Sequence, residues 1–151
     1  MLGDHSQSQN HKVNLLSTRL KEKEEKIQHV LEAIAEESAR KIPVIVEGKN
    51  DVDVLRQFGV SGPVLCLKTG GKSFCDALHE VEQTGAREVI LLLDFDRRGR
   101  EGTKRLKQNL ERAHVKPNTV FWRSLSALLA RDIQCVEGLG AYMETLKRKA
   151  M

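Results

Sequence analysis

The sequence predicts an α/β fold in which a parallel sheet of about four strands is flanked by helices. Short apolar runs alternate with longer amphipathic segments, which is the pattern of repeated β-α-β units. Two of these runs end in acidic residues: IPVIVEG reaches Glu47, and VILLLDFDRRG contains Asp94 and Asp96. Right-handed crossovers bring the carboxyl ends of parallel strands to one edge of the sheet. We therefore expect the three acids to meet there.

The elements follow in order from composition and apolar spacing. A polar segment predicts a disordered tail at 1–11, followed by an N-terminal helix at 12–41, an α/β domain at 42–122 and a C-terminal helical extension at 123–151. Within and after the α/β domain, the predicted strands are 42–46, 63–67, 88–93 and 119–122, and the predicted helices are 50–58, 73–84, 100–113, 124–130 and 136–149.

The N-terminal helix carries Leu20, Ile27 and Ile34 seven residues apart. This spacing is typical of a coiled-coil seam, but it also suits a helix that packs on its own domain. The sequence therefore leaves two readings open, a homodimer formed through this helix and an intramolecular packing role.

Composition narrows the functional classes. No run approaches the roughly 18 apolar residues of a membrane span, and the N-terminus lacks the apolar centre of a signal peptide. We expect a soluble, cytoplasmic protein that does not contact a membrane. Three cysteines without C-x-x-C spacing indicate neither a disulfide framework nor a structural zinc.

Charge is unevenly distributed along the chain. The net charge is +4, and residues 97–112 carry seven Lys or Arg against two Glu. A solvated helix surface would explain this stretch, but its position directly after two acids favours contact with phosphate.

The acids suggest a divalent metal. Asp94 and Asp96 are two residues apart, so on an extended strand end they point the same way. Carboxylates suit Mg²⁺, with Mn²⁺ as a second candidate. The alternative is that one caps a helix and the other is an unrelated surface acid. Glu47 is a candidate metal ligand or general acid/base, Gly48 permits a tight turn after it, and Asp51 is interpreted as a helix cap.

Basic and glycine residues around these acids are candidates for phosphate binding. Gly99 is expected to open the basic helix, whose N-terminus would face the same edge. The candidate phosphate or nucleic-acid contacts are Lys49, Lys68, Gly70, Gly71, Lys72, Arg97, Arg98, Arg100 and Lys104.

Three motifs resemble the Toprim domain: VEGKND at 46–51, KTGG at 68–71 and LLLDFDRRGREG at 91–102. That domain is shared by topoisomerases, bacterial-type primases, overcoming-lysogenization-defect nucleases and the ribonuclease that matures 5S ribosomal RNA. The V-E-G-K-x-D opening and the T-G-G turn are most similar to small stand-alone Toprim proteins and the 5S-maturing group.

The resemblance implies a Rossmann-like fold with four parallel strands and Mg²⁺-dependent breaking or joining of phosphodiesters. It makes Glu47 the catalytic glutamate, Asp94 and Asp96 the metal-binding aspartates, and Gly48 and Gly99 the turn glycines. The chain departs from the larger members in having no topoisomerase-type Tyr, no primase zinc module and no P-loop.

These observations lead to three functional hypotheses. The first is a Mg²⁺-dependent Toprim nuclease acting on structured RNA or DNA. The second is a non-catalytic module that binds nucleic acid or a ribonucleoprotein. The third is primase-like nucleotidyl transfer or another enzyme with a phosphate-bearing ligand.

Overall fold

The computed structural model describes residues 2–68 and 74–150, and within these ranges the side chains of 15–68 and 75–150. The strands are β1 (Val44–Val46), β2 (Val64–Cys66), β3 (Glu88–Leu92) and β4 (Lys116–Asn118). The helices are α1 (Leu2–Ala39), α2 (Lys49–Gln57), α3 (Phe74–Thr84), α4 (Arg97–Arg112), α5 (Val120–Leu129) and α6 (Leu139–Ala150), with a 3₁₀ turn at Val136–Gly138.

The strands form one parallel sheet in the order β2-β1-β3-β4. Val44 pairs with Val64 on one side and with Ile90 on the other, so β1 and β3 occupy the centre. The predicted α/β fold, with its four-stranded parallel sheet, N-terminal helix and C-terminal helices, is confirmed. Both acidic motifs follow these central strands, which places them at the same edge.

Alternation along the strands builds a core on each face of the sheet. Val44 and Val46 face a cluster that includes residues of α1, α2, α5 and α6, whereas Ile45 faces one that includes residues of α3 and α4. The sheet is therefore covered on both faces, as expected for parallel strands.

The C-terminal half of α1 packs on its own domain. Ile27, Leu31 and Ile34 are fully buried in the core shared with α5 and α6. At the margin of this contact, Asp132 accepts hydrogen bonds from Lys23 Nζ at 2.9 Å and from the Tyr142 hydroxyl at 2.8 Å. Ile27 and Ile34 of the predicted seam are thus buried inside the molecule, and Leu20 packs, partly buried, against the same core.

The start of α1 differs from the expectation. Its backbone begins at Leu2 and so includes residues 2–11, for which the sequence predicts a disordered tail. Extending a formed helix adds a hydrogen bond per residue without a new nucleation step. The side chains of this stretch lie outside the described residues, and the predicted domain boundaries stay predictions.

The fourth strand was predicted at 119–122, and that prediction is wrong. β4 lies at Lys116–Asn118, and Val120 already begins α5. The strand contains Pro117 opposite Val89, which is tolerated because β4 is an edge strand. Asn118 Oδ1 accepts the Val120 N–H at 3.0 Å and so helps to turn the chain into the helix.

The basic helix also begins earlier than predicted, at Arg97 rather than at residue 100, because Asp96 caps it. Within the described ranges, none of the helices combines the length and apolar character needed to cross a membrane.

Candidate metal and nucleic-acid site

Glu47 lies at the end of β1, where the chain turns into α2. Its side chain is largely buried, with 13% exposed. Gly48 is the N-cap of α2, and its N–H donates to Asp51 Oδ2 at 2.9 Å. Asp51 is itself buried. The predicted capping role of Asp51 is confirmed, and this hydrogen bond fixes the turn that carries Glu47.

The second acidic segment joins β3 to α4. Asp96 caps α4 by accepting the Gly99 N–H on Oδ1 at 2.8 Å. A Cβ atom on Gly99 would overlap the carbonyl oxygen of Asp94, so α4 starts in close contact with the end of the strand. Gly99 is thus required by close approach, and the helix N-terminus directly follows the two aspartates.

The two segments bring Asp94 and Glu47 together. Burial raises the pKa of Asp94 to about 8, and a hydrogen bond to Glu47 and its charge add to the effect, as do the charges of Asp51 and Asp96. The pKa of Asp51 is also raised, chiefly by burial. Asp94 therefore favours its protonated form more than an ordinary aspartate does, because burial and the neighbouring carboxylate of Glu47 both disfavour a second negative charge.

This arrangement fits a hard divalent cation. A cation between Asp94 and Glu47 would replace a proton on Asp94 and neutralise negative charge, and carboxylate oxygens are ligands that Mg²⁺ prefers. The contact between Lys68 Nζ and Glu47 Oε2 is 3.5 Å, so one ammonium already offsets part of the negative charge. Glu47 thus pairs with Lys68.

The structure adds residues that the sequence did not suggest. We call the carboxyl ends of β1 and β3, with Glu47, Asp94 and Asp96, the acidic edge. The segment between α5 and α6 lies against this edge. The Phe95 N–H donates to the Gln134 carbonyl oxygen at 2.6 Å, and the Glu137 N–H donates to Asp51 Oδ1 at 2.7 Å. Asn50 Nδ2 donates to Glu137 Oε1 at 3.1 Å. The C-terminal extension therefore forms one wall of the site.

Three residues where this wall meets α2 each place one possible metal-ligand atom within 4.8 Å of the others: Asp51 of α2, and Cys135 and Glu137 of the C-terminal extension. Glu47, Asp94 and Asp96 are also among the described residues, but their carboxylate oxygens do not form such a group within 4.8 Å. Burial raises the pKa of Cys135, and the charges of Asp51, Asp94 and Glu137 add to the effect, so this thiol stays protonated. No local motif marks these residues, which approach Asp51 only through folding.

Apart from Lys68, which contacts Glu47, the candidate phosphate contacts divide into three groups. Lys49, Arg98 and Lys104 are exposed, the first two near the acidic edge. Arg97 Nε donates to Glu101 at 3.2 Å, and an Arg100 guanidinium nitrogen donates to the Phe95 carbonyl oxygen at 3.2 Å. The remaining predicted contacts, Gly70, Gly71 and Lys72, lie outside the described residues.

The acid pair predicts a pH-dependent stability that metal reverses. The folded-state pKa of Asp94 (about 8) exceeds its ordinary value of 3.8, so the folded state binds more protons between these values. The free energy of unfolding of the metal-free protein should therefore fall as pH rises through this window. We expect Tm in EDTA to fall from about pH 5 to about pH 8, and Mg²⁺ to raise Tm more at the higher pH.

Thermal unfolding of Asp94→Asn checks the cause, because the amide cannot titrate. The pH slope should flatten in this variant, whereas Asp53→Asn, an exposed aspartate on α2, should keep the wild-type slope. An equal slope in wild type and Asp94→Asn would contradict the assignment.

Comparisons with known proteins agree with this geometry. The chain is 35% identical over 120 residues to a UPF0292 protein of Methanocaldococcus jannaschii, which covers 79% of this chain and 91% of the relative. It is 33% identical over 116 residues to a UPF0292 protein of Archaeoglobus fulgidus, covering 77% and 88%.

A solved structure of a protein from Aquifex aeolicus matches with a TM-score of 0.61 and 26% identity, covering 72% of this chain and 94% of that one. Toprim domains bind Mg²⁺ through acidic residues and serve nucleic-acid chemistry. Residues 42–123 match the Toprim domain, and this stretch contains β1 to β4 and both acidic motifs. The chain therefore belongs to the Toprim domain family.

Proposed function

We propose that the protein is a Mg²⁺-dependent nuclease that hydrolyses phosphodiester bonds in structured RNA or DNA. The observation that carries the proposal is the placement of Glu47 and Asp94 side by side, where the two central strands β1 and β3 end. Ligands of α/β folds bind at this edge, and the charge of a bound cation would be favourable beside two neighbouring carboxyl groups.

In this proposal, different residues bind the metal, transfer the proton and contact the phosphates. Asp94, Asp96 and Glu47 would hold Mg²⁺ or Mn²⁺, and a bound metal supplies positive charge at the phosphate and makes water more acidic. Glu47, which lies beside Asp94, is the group that takes up or returns a proton. Lys68, at 3.5 Å from Glu47, and the exposed Lys49 and Arg98 contact the phosphates beside the bond that breaks.

A panel assay tests the proposal. The full chain is incubated with labelled structured RNAs and DNAs in Mg²⁺, in Mn²⁺ and in EDTA, beside Asp94→Asn/Asp96→Asn. Asn is also a good N-cap, so the double variant should keep α4 folded. We expect metal-dependent products from the wild type and none from the variant, with Asp53→Asn as the matched aspartate control. Products that persist in EDTA or in the double variant would overturn the proposal.

One observation favours a non-catalytic nucleic-acid or ribonucleoprotein binding module as the second candidate. Asp51 and Asp96 both cap helices. Two of the four acids near the acidic edge, which are Glu47, Asp51, Asp94 and Asp96, thus already have a structural role. Salt-sensitive binding without products in any metal would support this module. Nucleotidyl transfer from labelled nucleotides onto a polymer would instead support the primase-like or phosphate-ligand enzyme.

A homodimer through α1 is the remaining proposal about partners. Ile27 and Ile34 are buried within the protein, whereas Leu15 and Leu16 are 45% and 59% exposed. A dimer would therefore have to use the region around these two leucines. Sedimentation equilibrium of the wild type and of Leu15→Ser/Leu16→Ser distinguishes a dimer from a monomer.

A further inference from the structure

The positive excess of the whole chain resides in a single helix. α4 contains seven of the 25 Lys and Arg and two of the 21 Asp and Glu, which leaves 18 cationic and 19 anionic residues elsewhere. The first helix shows the contrasting pattern of an ordinary solvated surface, with four cationic and three acidic residues mixed between positions 19 and 26. A concentration of one sign on one helix indicates an anionic partner.

Four of these cations form a row along α4, which we call the α4 basic row: Arg97, Arg100, Lys104 and Lys107. Spacings of three and four residues place them along one side of the helix. All four are exposed, while the helix buries Gly99, Thr103, Leu106 and Leu110 against the sheet. The row is thus available to a partner along its whole length.

The hydrogen bonds of the row do not occupy it. Arg97 and Glu101 form a surface pair whose side chains are 86% and 67% exposed, and such pairs contribute little to stability. Arg100 donates to the Phe95 carbonyl oxygen, but a guanidinium has five N–H donors and can also contact phosphate. Both arginines can therefore take a phosphate at little cost.

The row begins at the acidic edge and leads away from it. Asp96 caps the helix, so Arg97 stands next to the candidate metal ligands, and Lys107 follows ten residues later. At 1.5 Å per residue this distance is about 15 Å. One strand of B-form DNA rises about 3.4 Å per nucleotide along the duplex axis, so the row spans the axial rise of about four nucleotides.

From this placement we infer that the α4 basic row is a track for a nucleic-acid backbone that runs about four nucleotides to one side of the acidic edge. The inference deepens the proposed function: the substrate is a polymer, and a mononucleotide would reach only the start of the row. The shared chemistry is the phosphodiester backbone, for which RNA and DNA are the two sources.

Binding as a function of salt tests the inference without requiring turnover. Labelled RNA and DNA oligonucleotides of increasing length are titrated in EDTA with wild type, with Lys104→Glu/Lys107→Glu and with the control Lys21→Glu/Lys26→Glu. The control lies on the exposed side of α1 and makes the same charge change. All three proteins should have similar Tm values, because every substituted position is exposed.

Each lost phosphate contact lowers the slope of log K against log salt by about 0.7 to 0.9. We expect the slope to fall by about 1.4 to 1.8 in the α4 variant and to stay unchanged in the control. Lys104→Gln/Lys107→Gln should show the same loss of slope. An oligonucleotide long enough to reach from the acidic edge along the row should gain more binding strength with wild type than with either α4 variant.

Equal slopes in the α4 variant and wild type, or equal losses in the α4 variant and the control, would overturn the inference. So would binding to phosphatidylserine vesicles but to neither nucleic acid. A difference in binding between the RNA and the DNA oligonucleotides identifies which of the two nucleic acids the row binds. Track-dependent binding without cleavage would overturn the nuclease alone, whereas cleavage with an unchanged salt slope would overturn the track alone.

Discussion

Glu47→Gln and Asp94→Asn should each remove metal-dependent cleavage while leaving the protein folded. Both changes keep the side-chain shape and remove one ionisable carboxyl group from the Asp94–Glu47 pair. Loss of a group that transfers protons in the transition state costs about 10²- to 10⁴-fold in rate. Initial rates at saturating Mg²⁺ should fall at least to this extent in Glu47→Gln.

Metal titrations separate the two roles. If Asp94 is a ligand, Asp94→Asn should weaken the Mg²⁺ dependence of Tm, and excess metal should restore part of its rate. If Glu47 chiefly moves a proton, Glu47→Gln should retain metal binding and lose rate at every metal concentration. Asp53→Asn is the control for both. Rates equal to wild type in the two site variants would refute their place in catalysis.

Gly99→Ala should destabilise the protein and disrupt the site from outside the set of acids. The new Cβ would overlap the carbonyl oxygen of Asp94, so α4 has to move away from the end of β3. Overpacking of this kind costs about 1 to 3 kcal/mol. Displacement also weakens the bond from the Gly99 N–H to Asp96 Oδ1, and loss of an N-cap costs about 1 kcal/mol more.

Chemical denaturation should therefore show a loss of about 2 to 4 kcal/mol, and Mg²⁺ should raise Tm less than in the wild type. Gly140→Ala is the matched control, because its Cβ would meet only Gln57 Oε1 at an ordinary 3.6 Å. Alanine is also preferred to glycine within a helix. Equal stability of Gly99→Ala and wild type would show that α4 does not depend on this close approach.

Prediction of the fold succeeded where one pattern dominated. The first three strands were located to within two residues at either end, because each is an apolar run between turn residues. The fourth was misplaced because β4 consists of Lys116, Pro117 and Asn118, which form a strand only through pairing with β3. The apolar residues that follow belong to α5 instead.

Some features of the candidate site could likewise be predicted from the sequence, and others could not. The convergence of Glu47 and Asp94 at one edge was predictable, since carboxyl ends of adjacent parallel strands coincide. The alternative that one of the two aspartates caps a helix was also available in the sequence, and the structure shows that Asp96 does so. Prediction failed for Gln134 and Glu137, whose backbone groups bond to residues of the two acidic segments far earlier in the chain.

By itself, the sequence determined the α/β class, the order of its elements, the acids that follow the central strands and the concentration of positive charge on one helix. These depend on short-range periodicity and residue type, which are local properties. Tertiary structure alone decided that burial and the neighbouring Glu47 raise the pKa of Asp94, that Asp51 binds the C-terminal extension, and that Cys135 lies among acids. Burial and through-space distance set these features, and neither is encoded in spacing along the chain.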